Sequence, residues 1–128
     1  MTFEEVKTPS ATIRVVGHNI VENIIHDNVT IDREDVLAIK EANMSLTKGN
    51  QYAILVNAGP FSSITREARE LSASKEFSEQ TRAKALLVSS LGHRIVGQFY
   101  IRINKPHIKT KIFSERSAAM DWLERQLN

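Results

Sequence analysis

Ser62 and Ser63 stand where a short apolar run, Tyr52 to Val56, gives way through Asn57-Ala58-Gly59-Pro60-Phe61 to a charged, helix-like stretch. A serine pair at a helix start faces backbone amides that lack intrahelical partners. Those amides can hold a phosphate, whether attached to the serine as a phospho-switch or brought in as part of an anionic ligand. The plainer role for the same residues is helix capping, since serine is a preferred N-cap in any protein. Gly59, Phe61, Thr65 and Arg66 flank the pair and are the residues a partner docking at this junction would touch.

Other chemistries find no matching pattern. His18, His26, His93 and His107 are dispersed, none has a second histidine or a cysteine at ligand spacing, and no metal site is nominated. The chain has no cysteine, so disulfides and thiolate chemistry are excluded and a reducing compartment is compatible. No Gly-x-Ser-x-Gly elbow occurs. No catalytic residue and no cofactor-binding residue is proposed, and the expectation is a protein that is not an enzyme. Every charged residue from Arg82 to Lys111 is basic: Arg82, Lys84, Arg94, Arg102, Lys105, Lys109 and Lys111. This stretch lacks the repeated aromatic platform of single-strand binders, so solvated cations near a sheet edge are expected rather than a nucleic-acid surface.

The elements that would position the junction follow from period and punctuation. Thr12 to Val16 and Ile20 to Ile25 are β-rich and flank Gly17-His18-Asn19, which predicts a hairpin. Asp27-Asn28 interrupts before Val29 to Ile31, and Asp32 reads as the N-cap of a helix with Glu34 and Asp35 in its first turn. Val36, Ile39, Ala42 and Leu46 give that helix one apolar face, and Gly49-Asn50 ends it. Tyr52 to Val56 and Ala85 to Val88 read as strands covered on both sides. Ile64, Ala68 and Leu71 predict a helix beginning at the serine pair, with a break near Ser72 to Ser74. Leu91, Ile95, Phe99 and Ile103 fall four apart, as on a helix, although Ile101 to Ile103 also favours a strand. Pro106 ends that element; Ile108 to Phe113 makes a last strand, and Ser114 is expected to cap a helix whose Ala119, Trp122, Leu123 and Leu127 pack inward.

A length of 128 residues suits one domain, 1–128, with residues 1–10 expected to be flexible. A hairpin followed by alternating helices and strands implies an α/β fold whose later strands are parallel and whose hairpin adds an antiparallel edge, with helices mainly on one face. This order, running from the opening strands through Phe113-Ser114 to the Ala118-Ala119-Met120-Asp121-Trp122-Leu123 helix, resembles the SpoIIAA-like fold. STAS domains (sulfate transporter and anti-sigma antagonist) and, more distantly, CRAL-TRIO lipid-transfer domains share that fold. The resemblance implies a small bacterial regulatory domain. In STAS antagonists a loop after a central strand presents a phosphorylatable serine within an Asp-Ser-Gly-like stretch. Here Asn57-Ala58-Gly59-Pro60-Phe61-Ser62-Ser63-Ile64 occupies that region, without the acidic residue and without a glycine after the serines.

Two functions are expected. The first is a non-enzymatic regulatory or protein-interaction domain that uses the Gly59 to Thr65 junction to meet an unidentified protein, with homodimerisation as a further partner option. The second is a carrier or sensor of a small anionic or lipid-like ligand, held in a cleft walled by Ile95, Phe99 and Ile103. No apolar run approaches the roughly 20 residues of a membrane span and no leader pattern opens the chain, so a cytoplasmic location is expected.

Overall fold

The structure is a computed structural model and describes residues 4–128. Strands β1 (Glu5–Lys7), β2 (Ala11–Gly17), β3 (Ile20–Ile25), β5 (Tyr52–Asn57), β7 (Thr81–Leu87) and β8 (Lys109–Phe113) form one six-stranded sheet in the order β1-β2-β3-β5-β7-β8. Strands β1, β2 and β3 pair antiparallel, and β3, β5, β7 and β8 pair parallel, so the sheet is mixed with its hairpin at one side, as expected. A second, two-stranded sheet joins β4 (Thr30–Ile31) to β6 (Ser63–Ile64). The helices are α1 (Arg33–Leu46), α2 (Arg66–Ala73), α3 (Leu91–Phe99) and α4 (Arg116–Leu127), and α3 runs on into a π-helical turn, Tyr100–Asn104. Of the N-terminal stretch expected to be flexible, residues 1–3 lie outside the described residues. Glu5–Lys7 pairs in register with Thr12, Ile13 and Arg14 of β2.

Side-chain alternation along the central strands divides the core in two. Tyr52 and Ile54 of β5 point to the face carrying α1, where Val36, Ile39 and Ala42 cover Ile13 and Val21. Ala53 and Leu55 point to the other face, where they join Ile20, Ala83 and Ala85 beneath Ala119 and Leu123 of α4. The three alanines leave room for α4 to lie close on the sheet. Helix α4 is alone on that face, and α1, α2 and α3 occupy the opposite one.

Local chemistry explains the boundaries. Asp32 caps α1 in a full capping box: its Oδ1 accepts from the Asp35 amide at 2.9 Å, and Asp35 Oδ2 accepts from the Asp32 amide at 3.0 Å. Helix α2 starts three residues later than expected from the pair. Thr65, not Ser62 or Ser63, caps it, accepting from the Ala68 amide at 3.1 Å. The reason is pairing: Ser63 and Thr65 donate their amides to the carbonyls of Val29 and Ile31, which holds Ser63-Ile64 extended as β6. Helix α4 begins after Glu115, without a side-chain cap, rather than at Ser114. The sheet's outer edges are β1, three residues long, and β8, whose exposed positions hold Lys109 and Lys111.

Candidate functional site

Between the sheet and helices α1, α2 and α3 lies a cavity of about 740 Å³. Its floor is made by residues of one strand face: Asn23 and Ile25 of β3, Ile54 and Val56 of β5, Lys84 and Leu86 of β7. Its walls come from Ile39 and Lys40 of α1, Arg69 of α2, Val96 and Gly97 of α3, and Tyr100. The mouth is at the carboxyl ends of β5 and β7, where Phe61, Ser63, Ser89 and Ser90 are exposed. Ligands of α/β sheets commonly enter at that end.

Two glycines shape the space. A Cβ at Gly97 would stand 3.1 Å from Ile112 Cδ1 and 3.5 Å from Leu86 Cδ1, so the glycine lets α3 settle on β7 and β8. A Cβ at Gly59 would strike the Ile25 carbonyl oxygen and lie 2.8 Å from Asp27 Oδ1. The 57–61 loop therefore folds flat against the end of β3. Two residues on, Phe61 adopts a left-handed backbone (φ 59°) and is 86% exposed beside the mouth, a conformation that is uncommon for a bulky residue.

The polar groups of the cavity are mostly serines and other neutral side chains, and its charged ones are all basic. Lys84 Nζ donates to Tyr100 OH at 3.1 Å and lies over the same ring. Tyr100 OH is in turn 3.1 Å from Ser72 Oγ. Lys40 Nζ donates to the Glu79 carbonyl at 2.8 Å and to Thr81 Oγ1 at 3.0 Å, and it faces the rings of Tyr52 and Phe77. Arg69 donates from Nη1 to the Ile64 carbonyl at 2.9 Å, while its Nε is buried without a partner. Asn23 and Asn43 bond each other's amides, at 2.7 and 3.3 Å. No aspartate or glutamate lines the cavity.

Burial pulls the Lys40 ammonium down to about 8, the nearby Lys84 charge adds to the shift, and Glu79 opposes both. The sign of the linkage follows. An unfolded lysine titrates near 10.4, so between about pH 8 and that value the unfolded chain holds more protons, and the stability of the empty protein rises with pH. Urea midpoints at pH 7 and pH 9.5 are expected to show this rise, and Lys40→Met is expected to flatten it; an equal rise in both proteins would refute it.

The residues singled out from sequence fall in different places. Ser62 lines the cavity with its Oγ bonded to the Gly59 carbonyl at 2.7 Å, and His93 Nε2 stands 3.2 Å from the Ser62 carbonyl. Ser63 Oγ meets Thr30 Oγ1 at 3.0 Å. The amides of both serines are already taken, by the carbonyls of Gly59 and Val29, so the helix-start anion cradle expected at the pair is not formed there. Arg66 is exposed and pairs with Glu70 at 3.0 Å. Ile95, Phe99 and Ile103 do lie on one helical stripe, but it points outward and leaves Ile95 55% and Ile103 63% exposed. The opposite face of the same element, Val96, Gly97 and Tyr100, walls the cavity instead. Sequence inspection missed Lys40, Arg69 and Tyr100 as site residues and placed Lys84 only within a basic stretch. Among the described residues no cluster of potential metal ligands occurs, and no helix is long and apolar enough to cross a membrane.

The mixed sheet, its order and its helices define a SpoIIAA-like α/β domain. The chain is similar, over 95% of its length and 92% of the other, to a solved protein from Shewanella loihica PV-4, an uncharacterized member of the DUF3478 family with a SpoIIAA-like fold. The TM-score is 0.54 and the sequence identity 11%, a likeness of fold. Residues 14–127 match the family described as Domain of unknown function (DUF7793), and the chain belongs to that family. No curated protein sequence matches it.

Proposed function

We propose that this STAS-like domain is a non-enzymatic carrier or sensor that takes a small lipid-like molecule into the cavity beneath α1, α2 and α3. The observation that carries this reading is the cavity itself: about 740 Å³ whose lining surface is mainly apolar, in a chain of 128 residues. Clefts of a few hundred to a thousand Å³ with a mainly apolar lining and a few convergent charged groups are typical small-molecule sites. The cytoplasmic location remains part of the proposal.

Val56→Trp would fill the floor of the cavity. Native mass spectrometry of the protein from its own cells is expected to show a retained small molecule that the variant loses. In a thermal screen, bound compounds should raise the melting temperature of the parent and not of the variant. A parent protein that retains nothing and responds to no amphiphile or other apolar compound would defeat the reading.

A second reading, regulatory protein contact, is favoured by one specific observation. Phe61, Leu91, Ile95, Phe99 and Ile103 are large apolar residues left exposed around the mouth and along the outer face of α3, and solvent-facing apolar groups of this extent often mark interaction surfaces. The two readings are compatible, because α3 touches the cavity with one face and solvent with the other. A sensor would report occupancy through that helix.

A further inference from the structure

The cavity is one-sided in charge. Lys40, Arg69 and Lys84 line it, and no carboxylate side chain does. Cations drawn into low-dielectric surroundings lose hydration, and that loss is only partly offset by hydrogen bonds, ring faces and, at Lys40, the charge of Glu79 outside the lining. Lys84 has a single hydrogen-bond partner, Tyr100 OH, and Lys40 has two, Glu79 O and Thr81 Oγ1. An ammonium carries three donors, so both keep N–H groups for a ligand. The buried Nε of Arg69 and Nδ1 of His93 are likewise unpartnered. The apolar floor of Ile54, Val56 and Leu86 adjoins this cationic wall.

Resting on the ligand-binding role above, we propose that the cavity selects an amphiphile with one anionic head group, a long-chain carboxylate, whose carboxylate lies against Lys84 and Lys40 while its chain covers Ile54, Val56 and Leu86. A neutral chain of the same length would cover the lysines and strip their remaining water without cancelling charge. A cationic one would add a third positive charge. The anion alone converts two like charges into a charge-assisted clamp. Tyr100 acts as a positioning residue, because its hydroxyl fixes Lys84 through the contact with Ser72.

The test uses hexadecanoate, hexadecanol and hexadecylamine as probes of the full chain at pH 7, below their aggregation limits, by calorimetric titration. Hexadecanoate is expected to bind at least about tenfold tighter than hexadecanol, the scale of one charge-assisted hydrogen bond. Hexadecylamine should bind most weakly. Lys84→Met should remove most of that preference, weakening hexadecanoate and, because a desolvated cation is gone, tightening hexadecanol, and Lys84→Arg, which keeps the charge, should retain it. Hexadecanol binding as tightly as hexadecanoate, or a preference that survives in Lys84→Met, would overturn the anionic clamp and leave the ligand-binding role standing. Failure of all three probes to bind, with the parent also empty in native mass spectrometry, would overturn both.

Discussion

Replacing Arg116 by alanine is expected to destabilise the protein by about 2–3 kcal/mol at pH 7, because it leaves a carboxylate inside the sheet without its counter-charge. Glu22 sits on β3 with its side chain 3% exposed, and the Arg116 guanidinium at the start of α4 grips it bidentately, Nη1 to Oε2 at 2.7 Å and Nη2 to Oε1 at 2.6 Å. Asn57 Nδ2 adds a third bond at 3.1 Å. Burial alone would raise the Glu22 carboxyl, but the hydrogen bonds from Arg116 and Asn57, with the positive charge of Arg116, outweigh it and hold the group below its ordinary value. Arg116 itself is 47% exposed, so water reaches the vacated position, and the expected loss lies at or below the lower part of the range for fully buried pairs. The pH dependence has a definite sign. In the parent, the depressed carboxyl contributes stability above its unfolded value near 4.3, and this is lost as pH falls through the folded value. In the variant the carboxyl is raised, so lowering the pH neutralises the unpaired charge and narrows the gap to the parent. Urea unfolding of both proteins at pH 7 and pH 4 measures this; a gap that widens at pH 4 would contradict the account. The apolar double replacement Glu22→Leu with Arg116→Met should recover most of the loss.

Leu123→Ala is expected to cost about 3–4 kcal/mol, toward the middle of the range for buried leucines. Leu123 is fully buried between α4 and the sheet, in a cluster with Ile20, Ala53, Leu55, Ala83, Ala85 and Ala119. The alanines cannot reorient into the space that a deleted isobutyl group leaves, and flanking β-sheet backbone does not collapse, so Ile20 and Leu55 could fill only part of it. The substitution lies on the sheet face opposite the cavity. Ligand affinity measured well below the melting temperature should therefore stay within about twofold, as additivity of distant sites implies. A stability loss under about 1 kcal/mol would mean that α4 repacks freely and that the alanine-lined seam is not what docks it.

How much of this was readable from residue order differs by element. The hairpin, the Asp32-capped helix, the strand at Tyr52 and the closing helix were legible because each carries its own period and punctuation. Strand β1 was not, since Glu5-Val6-Lys7 has one apolar residue and gains its structure only from β2 alongside. The serine pair misled for a related reason: its local chemistry favours a helix start, and a tertiary partner, β4, overrides it. In α3 the period was right and the face was wrong. Ile95, Phe99 and Ile103 form the bulkier stripe, yet the buried positions are Gly97 and Tyr100, with Gly97 there because Ile112 leaves no room for more. Lys84 was the least legible of the site residues. Alternation with Ala83 and Ala85 makes it read as a solvent-facing position, and only the helices spanning that face turn it into the wall of a cavity.

The sheet margins bear on how the molecule behaves in a crowded solution. One margin is a strand of only three residues and the other presents Lys109 and Lys111, so neither offers a neighbour a long neutral ribbon of free amides and carbonyls on which to template growth. Concentrated samples should fail, when they fail, by sticking through the greasy outer side of α3 and the Phe61 ring and not by fibril-like sheet extension. Polar replacements at Phe61 and Ile95, made for handling alone, would then be the place to begin improving yield and shelf life.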